Sequence, residues 1–323
     1  MRTLKALRTS MAIAHRFLHR EMEPDVSELV KLYRQAAKDL REVAQRRLVK
    51  DARKLTSEAR RSRLLLQEVT EILGELDANA DVWIAKNIPK QYMKGVREST
   101  QGLTDIGFDV ETDIKPGIHR EAVEALVRSM QTELEIGQAR IIQSTQRLIR
   151  STQLEAAIDK QVTREVALGT IEGKARTAVS EQIRQVLVDE FGEGPVIING
   201  RHYALDAYSE LVARTKMAEA HSAGTIMRNL EAGNDLVMVS SHGADDGCSF
   251  FEGQIFSISG TSEKYPALSD IDNGPPFHPN CIHRLLPFVE DLATEREIER
   301  GTKVPAAALN KTHAELERMA KAA

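Results

Sequence analysis

Cys248, His278, Cys281 and His283 follow the spacing C-x29-H-x2-C-x-H. Two thiolates and two imidazoles suit a tetrahedral Zn²⁺ ion, which takes soft sulfur and borderline nitrogen donors. Three of the four sit in "GPPFHPNCIHRLLPF", residues 274–288, where four prolines stiffen the chain. Cys281 and His283 are two apart on an extended segment, so their side chains point to the same side. Pro279 turns the chain so that His278 can join them. The paired C-x2-C knuckle of a zinc ribbon is missing, because Phe251 stands where its second cysteine would be. His242, Asp245 and Asp246 lie just before Cys248 and offer substitute or outer ligands.

Other readings of the same residues stay open. The cysteines can pack as small hydrophobes, as free thiols commonly do. They can form a disulfide, whose loop entropy would contribute about 3–4 kcal/mol. The histidines can serve only to hydrogen-bond loop carbonyls. Catalysis finds less support. A histidine-rich loop beside Asp245 and Asp246 would suit a metal-dependent nuclease or hydrolase, yet the H-x-E arrangement that supplies a general base in deaminases is missing. Cys281 and His283 could pair as nucleophile and base, but their spacing does not by itself create that contact. Glu133 and Glu135 form an E-x-E pair in a helical stretch, on different faces. Phosphate-cradling glycine loops of the Walker or Rossmann type are lacking. The expectation is a protein without catalytic residues, with a metal-dependent nuclease or hydrolase acting on DNA as the alternative.

The elements that must position these residues are mostly helical. Aromatic residues are 4% of the 323, and Ala, Leu, Arg and Glu dominate, a bias towards side chains that lose little freedom in a helix. "VSELVKLYRQAAKDLREVAQRRL" places Val26, Leu29, Val30, Tyr33, Ala37, Leu40 and Val43 at helical steps. Asp25 with Glu28 resembles a capping box, and Pro89 predicts a break or kink. Residues 102–117 read as a linker, and a second long helix runs from His119 to about Thr163. Another helix is predicted over residues 174–192. Asn199-Gly200 predicts a hairpin turn, a helix follows from Asp206 to Gly224, and "DLVMV" and "GQIFSIS" read as strands. The C-terminal residues 293–323 suggest a surface helix and a frayed tail. Together these give a mainly α protein with a small C-terminal α+β module. Its parts are a basic helical arm (1–63), a helical region (64–190), the module (191–292) and the terminal helix and tail.

Charge is uneven along the chain. Residues 1–63 hold 17 Lys/Arg against 8 Asp/Glu, whereas the whole chain is at −4. Arg46, Arg47, Lys50, Arg53, Lys54, Arg60 and Arg61 form the densest cationic run. It carries no interleaved aromatics, so DNA would be met through phosphates without base specificity; an acidic protein surface is the other partner such an arm fits. Solvated helix faces are the plain alternative. Two cysteines in the chain suit assembly in a reducing cytoplasm, and the absence of a long apolar run argues against a membrane partner.

Several ordered pieces then resemble a known family. These are the "NGRHY" turn, "YSELVART" on a helix, the "GQIFS" strand start after Cys248, and "HPNCIH" with a following proline. The chain is similar to tailed-phage minor capsid protein 2, related to the head-morphogenesis family of the phage Mu F protein. The resemblance implies a structural virion protein, made in the host cytoplasm. Its expected place is the capsid interior or portal vertex, with portal and other capsid proteins as partners. Lys216 follows "ART" where Mu-type relatives tend to have Glu. Within the module, Arg201 and Tyr203 are expected to cap it. Thr215 belongs to an apolar helix stripe with Tyr208, Leu211, Val212 and Ala218. Arg214 can pair with Glu210 one turn earlier or pin the "HPNC" loop through its carbonyls.

Overall fold

The computed structural model describes residues 3–47, 58–111, 116–167, 196–198, 201–272, 274–278 and 280–322. The helix expected over residues 174–192, the Asn199-Gly200 turn, Pro279, Lys50, Arg53 and Lys54 lie outside them. The protein is mainly helical with a small antiparallel sheet near its C-terminus. Three long helices come first: α1 (Thr3–Gln45), α2 (Glu58–Asp105) and α3 (Pro116–Ala167). A hairpin of β1 (Val196–Ile198) and β2 (Arg201–Tyr203) precedes α4 (Leu205–Glu231). Then come β3 (Leu236–Val239), β4 (Ile255–Ser257), β5 (Leu285–Pro287), α5 (Glu295–Gly301) and α6 (His313–Ala322).

Pro24 and Pro89 do not end helices; α1 and α2 run through them. An interior proline costs about 3 kcal/mol. Burial on either side offsets it: Met22 and Val26 flank Pro24, and Ile84, Ile88, Tyr92 and Val96 surround Pro89, each nearly inaccessible to solvent. A fully buried aliphatic or aromatic side chain contributes about 1.5–3 kcal/mol, so two or three outweigh one lost hydrogen bond. Pro116 opens α3, a position where the missing N–H has no helical partner to lose.

The chain forms two compact units. One comprises Ser27–Trp83 and Gln131–Glu210, the other Met1–Val26, Ile84–Met130 and Leu211–Ala323. The first is a helical unit. Its core takes Leu29, Tyr33 and Leu40 from α1, Leu65, Val69, Leu73 and Leu76 from α2, and Leu134 and Ile141 from α3. Tyr208 packs on α3 where Gly137 leaves room, since a Cβ at Gly137 would lie 2.6 Å from the tyrosine ring. Its hydroxyl donates to the Glu133 carbonyl at 2.6 Å. β1 and β2 belong to this unit and pair antiparallel, with Ile198 opposite Arg201.

In the second unit α2 and α4 cross at very short range. A Cβ on Gly95 would lie 2.0 Å from the His221 carbonyl oxygen, and one on Gly224 2.1 Å from that of Tyr92. Gly224 therefore does not stop α4, as its sequence position suggested; it lets two backbones touch while the helix continues to Glu231. A polar network lies beside this crossing. The buried Arg228 donates to Thr100 at 2.8 Å and Glu231 at 2.6 Å, and Asn229 donates to Ser99 at 2.8 Å.

After α4 the chain builds the sheet, ordered β4-β3-β5 with all pairs antiparallel. Val237 and Val239 on β3 point into a core with Phe251, Phe256, Leu268, Ile271, Leu285 and Leu316. β5 has Pro287 and lies at the sheet edge, where proline is tolerated. Leu316 belongs to α6, so the C-terminal segment is not a frayed tail but part of the module's core. Gly247 closes that contact: a Cβ there would meet Leu316 Cβ at 2.8 Å.

Candidate metal centre

Cys248 lies in a 3₁₀ turn, Gly247–Phe251, between β3 and β4. Asp246 caps that turn by accepting the Cys248 N–H at 2.9 Å. Cys281 ends a tight turn in which its own N–H donates to the His278 carbonyl at 3.0 Å. Asn280 makes the turn possible by adopting the left-handed conformation, at φ 65°, which asparagine tolerates better than most residues. This turn brings His278 and Cys281 to one side, and His283 follows just before β5.

Of the four residues singled out by spacing, three fall in one group and His278 falls with Cys248 in another. Ligand atoms of Cys248, Cys281 and His283 lie within 4.8 Å of one another, as do those of Asp246, Cys248, His278 and His313. Cys248 is common to both groups. His283 Nδ1 is 3.4 Å from Cys281 Sγ, and His313 Nε2 is 3.9 Å from Cys248 Sγ. Both cysteines are buried free thiols.

Each imidazole has a carboxylate behind it. Glu252 Oε1 is 3.1 Å from His283 Nε2, and Asp246 Oδ2 is 3.3 Å from His278 Nε2. Glu252 is itself fixed by the backbone N–H groups of His242, Gly243 and Ala244, at 2.9, 3.1 and 3.1 Å. Burial would raise its pKa, but those three donors and His283 hold it below the ordinary carboxylate value. Sequence reading placed no glutamate here. Glu252 is four residues beyond Cys248 and reaches His283 only because β3 and β5 pair.

The two sulfurs share their protons unequally. Hydrogen bonding from Cys248 lowers the Cys281 pKa against the opposing effect of burial, with further help from His278 and His283. Cys248 is correspondingly pushed up, first by that hydrogen bond and then by burial. Cys281 is thus the thiolate of the pair. Burial alone would lower the His283 pKa, but the Cys281 sulfur and Glu252 outweigh it and raise it. A lowered thiol pKa beside a raised imidazole pKa is the pattern of a Cys281–His283 ion pair.

His313 is the other residue that sequence reading missed. It enters on α6, 65 residues from Cys248, and stacks on His278 with ring centroids 4.4 Å apart. Its helical setting beside Glu317 gave no sign of this role. Phe251, in the place of a second cysteine, is a core residue at 1% exposure against Phe256 and Phe277.

The remaining expected residues are placed as follows. Arg214 donates to Glu23 at 2.8 Å and to the Asn280 side chain at 3.4 Å, so it does reach the "HPNC" loop, through Asn280. Thr215 donates to the Leu211 carbonyl of its own helix at 2.8 Å. Lys216 is buried and donates to Ser129 and Glu219 at 3.0 and 2.8 Å. Arg201 and Tyr203 lie on β2 in the helical unit. Arg46 and Arg47 both pair with Glu68, at 2.9 and 2.6 Å, and Arg60 and Arg61 lie on α2.

The arrangement Glu252–His283–Cys281 has the order of a catalytic triad. Cys281 and His283 are each only 2% exposed. The same burial suits a closed metal site, whose ligands all face inward.

No curated protein and no solved structure matches the chain. No described helix is long and apolar enough to cross a membrane. The sequence model of one family, phage minor capsid protein 2, does match, over residues 19–321. Since that span covers nearly the whole chain, helices and Cys/His module alike, the chain belongs to the phage minor capsid protein 2 family.

Proposed function

We propose that this minor capsid protein is a non-enzymatic assembly component at the portal vertex or inner wall of a phage head, where it helps the shell form or the genome enter and leave. The observation that carries this reading is the family match over residues 19–321: membership rests on the whole architecture rather than on one module. The kinship with Mu F-like head-morphogenesis proteins, argued from "YSELVART" and "HPNCIH", belongs to the same reading. Long helices such as α2 and α3 offer extended surfaces to portal and capsid neighbours. Arg46, Arg47, Arg60 and Arg61 are the described cations of the basic run, and such a run suits the phosphates of packaged DNA.

The test is a cryo-EM reconstruction of assembled particles with the chain carrying a density label, alongside co-purification with portal protein. Density at the portal vertex or inner wall supports the proposal; absence from both procapsids and filled heads overturns it. DNA contact by the basic segment predicts binding that weakens steeply with salt. An Arg60→Ala, Arg61→Ala variant should show a shallower salt slope.

The alternative, a metal-dependent nuclease or hydrolase, rests on Glu252 behind His283, a carboxylate that could act as a base. Incubating supercoiled plasmid with the protein and Zn²⁺, Mg²⁺ or Mn²⁺ decides between them. Cleavage that disappears in a folded His283→Ala variant would establish the enzyme.

A further inference from the structure

We propose that Cys248, His278, Cys281 and His283 hold one Zn²⁺ ion, oriented by Asp246 and Glu252, and that this ion fastens the C-terminal helix α6 to the module through the His313–His278 stack. The inference stands apart from where the protein sits in a particle.

The donor distances fit. Zn–S bonds of about 2.3 Å and Zn–N bonds of about 2.0 Å at tetrahedral angles put sulfur and nitrogen about 3.5 Å apart. Cys281 Sγ and His283 Nδ1 are already 3.4 Å apart. In the neutral tautomer that donates Nε2–H to Glu252, the Nδ1 lone pair of His283 would face Cys281 Sγ, the arrangement a metal requires. His278 repeats the pattern: its ring hydrogen-bonds the Cys281 sulfur, lies in the ligand group of Cys248, and has Asp246 on Nε2. Two carboxylate-backed imidazoles aimed at two buried sulfurs exceed what packing or a disulfide requires. A disulfide would leave both histidines and both carboxylates without a charge to serve.

The choice of His278 over His313 follows from reach. His278 hydrogen-bonds the Cys281 sulfur and shares a ligand group with Cys248, whereas the sulfur contact of His313 is to Cys248, at 3.9 Å. His313 instead covers the outer side of His278, and Leu316 one turn later is buried in the module core at 2% exposure. Removing the ion frees His278 to move and takes away the surface on which His313 rests. α6 is therefore the element that metal loss should release first.

The full chain, purified without chelators, is expected to contain one zinc per molecule by elemental analysis. Cobalt exchanged into the site should give the intense visible bands of a tetrahedral ion with two thiolate ligands. Titrating wild-type protein with a mercurial should release zinc in step with modification of both thiols, a readout that needs no variant to fold. Chelation should make α6 the earliest site of limited proteolysis. His313→Ala should keep the zinc and the cobalt spectrum while α6 becomes protease-sensitive, whereas His278→Ala should change the cobalt spectrum. Protein that carries no zinc and takes up no cobalt overturns the proposal, as does a native mass showing the two thiols oxidised. Loss of metal in His313→Ala with retention in His278→Ala overturns the ligand assignment and its role for α6.

Discussion

The helical unit and the Cys/His module reach stability by different means. In the helical unit, stripes at three- and four-residue spacing bury Tyr33, Leu40, Val69 and Leu73 along helices dozens of residues long. The module has strands of three or four residues, and its sheet of three strands offers little area to bury. To a core of Phe251, Phe256, Leu285 and Leu316 it adds the backbone-anchored Glu252, Gly-mediated contacts and the grouped Cys248, Cys281 and His283. Length supplies the fold in one region, and chemistry supplies it in the other.

The largest effect that could break this contrast is expected from Tyr33→Ala in the helical unit. Truncating a fully buried aromatic costs about 3–5 kcal/mol, to be read as a lower urea midpoint by circular dichroism. A change under about 1 kcal/mol would mean the stripe carries less than its burial implies. Next comes Leu316→Ala on α6, at about 2–4 kcal/mol. It should also raise the reactivity of Cys248 towards a thiol reagent; unchanged reactivity would show that α6 does not shield the cluster.

A smaller effect is expected from acid. Burial would raise the Glu98 pKa, but its hydrogen bond to His221 and the charges of Arg284 and Lys94 hold it down to about 2. A carboxylate depressed below its ordinary 4.5 contributes stability fully above that value and loses it as pH falls towards 2. His221, buried and depressed below 6.5, likewise opposes the fold once acid protonates it. Urea midpoints should therefore fall as pH drops below 6.5 and further below 4.5. Glu98→Gln should flatten the lower part of that profile. The smallest effect is Arg47→Ala: a half-buried ion pair with Glu68 is worth about 1 kcal/mol or less, measured in the same melts.

The helical periods and the order of strands after α4 were legible in the sequence, because amphipathic spacing and β-branched runs act locally. The helices that pass through Pro24 and Pro89 were not, since the burial that offsets each proline comes from tertiary packing. Gly224 read as a stop for the same reason: only the structure shows the Tyr92 carbonyl against it. At the site, cysteine and histidine spacing pointed to Cys248, His278, Cys281 and His283, of which Cys248, Cys281 and His283 lie together. Glu252 and His313 were invisible, because sheet pairing and the docking of α6 bring them in across sequence distance.

Pro287 has one more consequence. Phe288 N–H, next along β5, donates inward to the Leu236 carbonyl on β3, so strand alternation turns the Pro287 nitrogen to the outer edge. That nitrogen has no hydrogen to offer, and its ring rests 3.3 Å from where a Cβ on Gly102 of α2 would be. At Pro287 this edge offers a neighbouring chain no donor, and the α2 helix lies against the ring. Pairing of a second strand along β5 would therefore lack a hydrogen bond at that position.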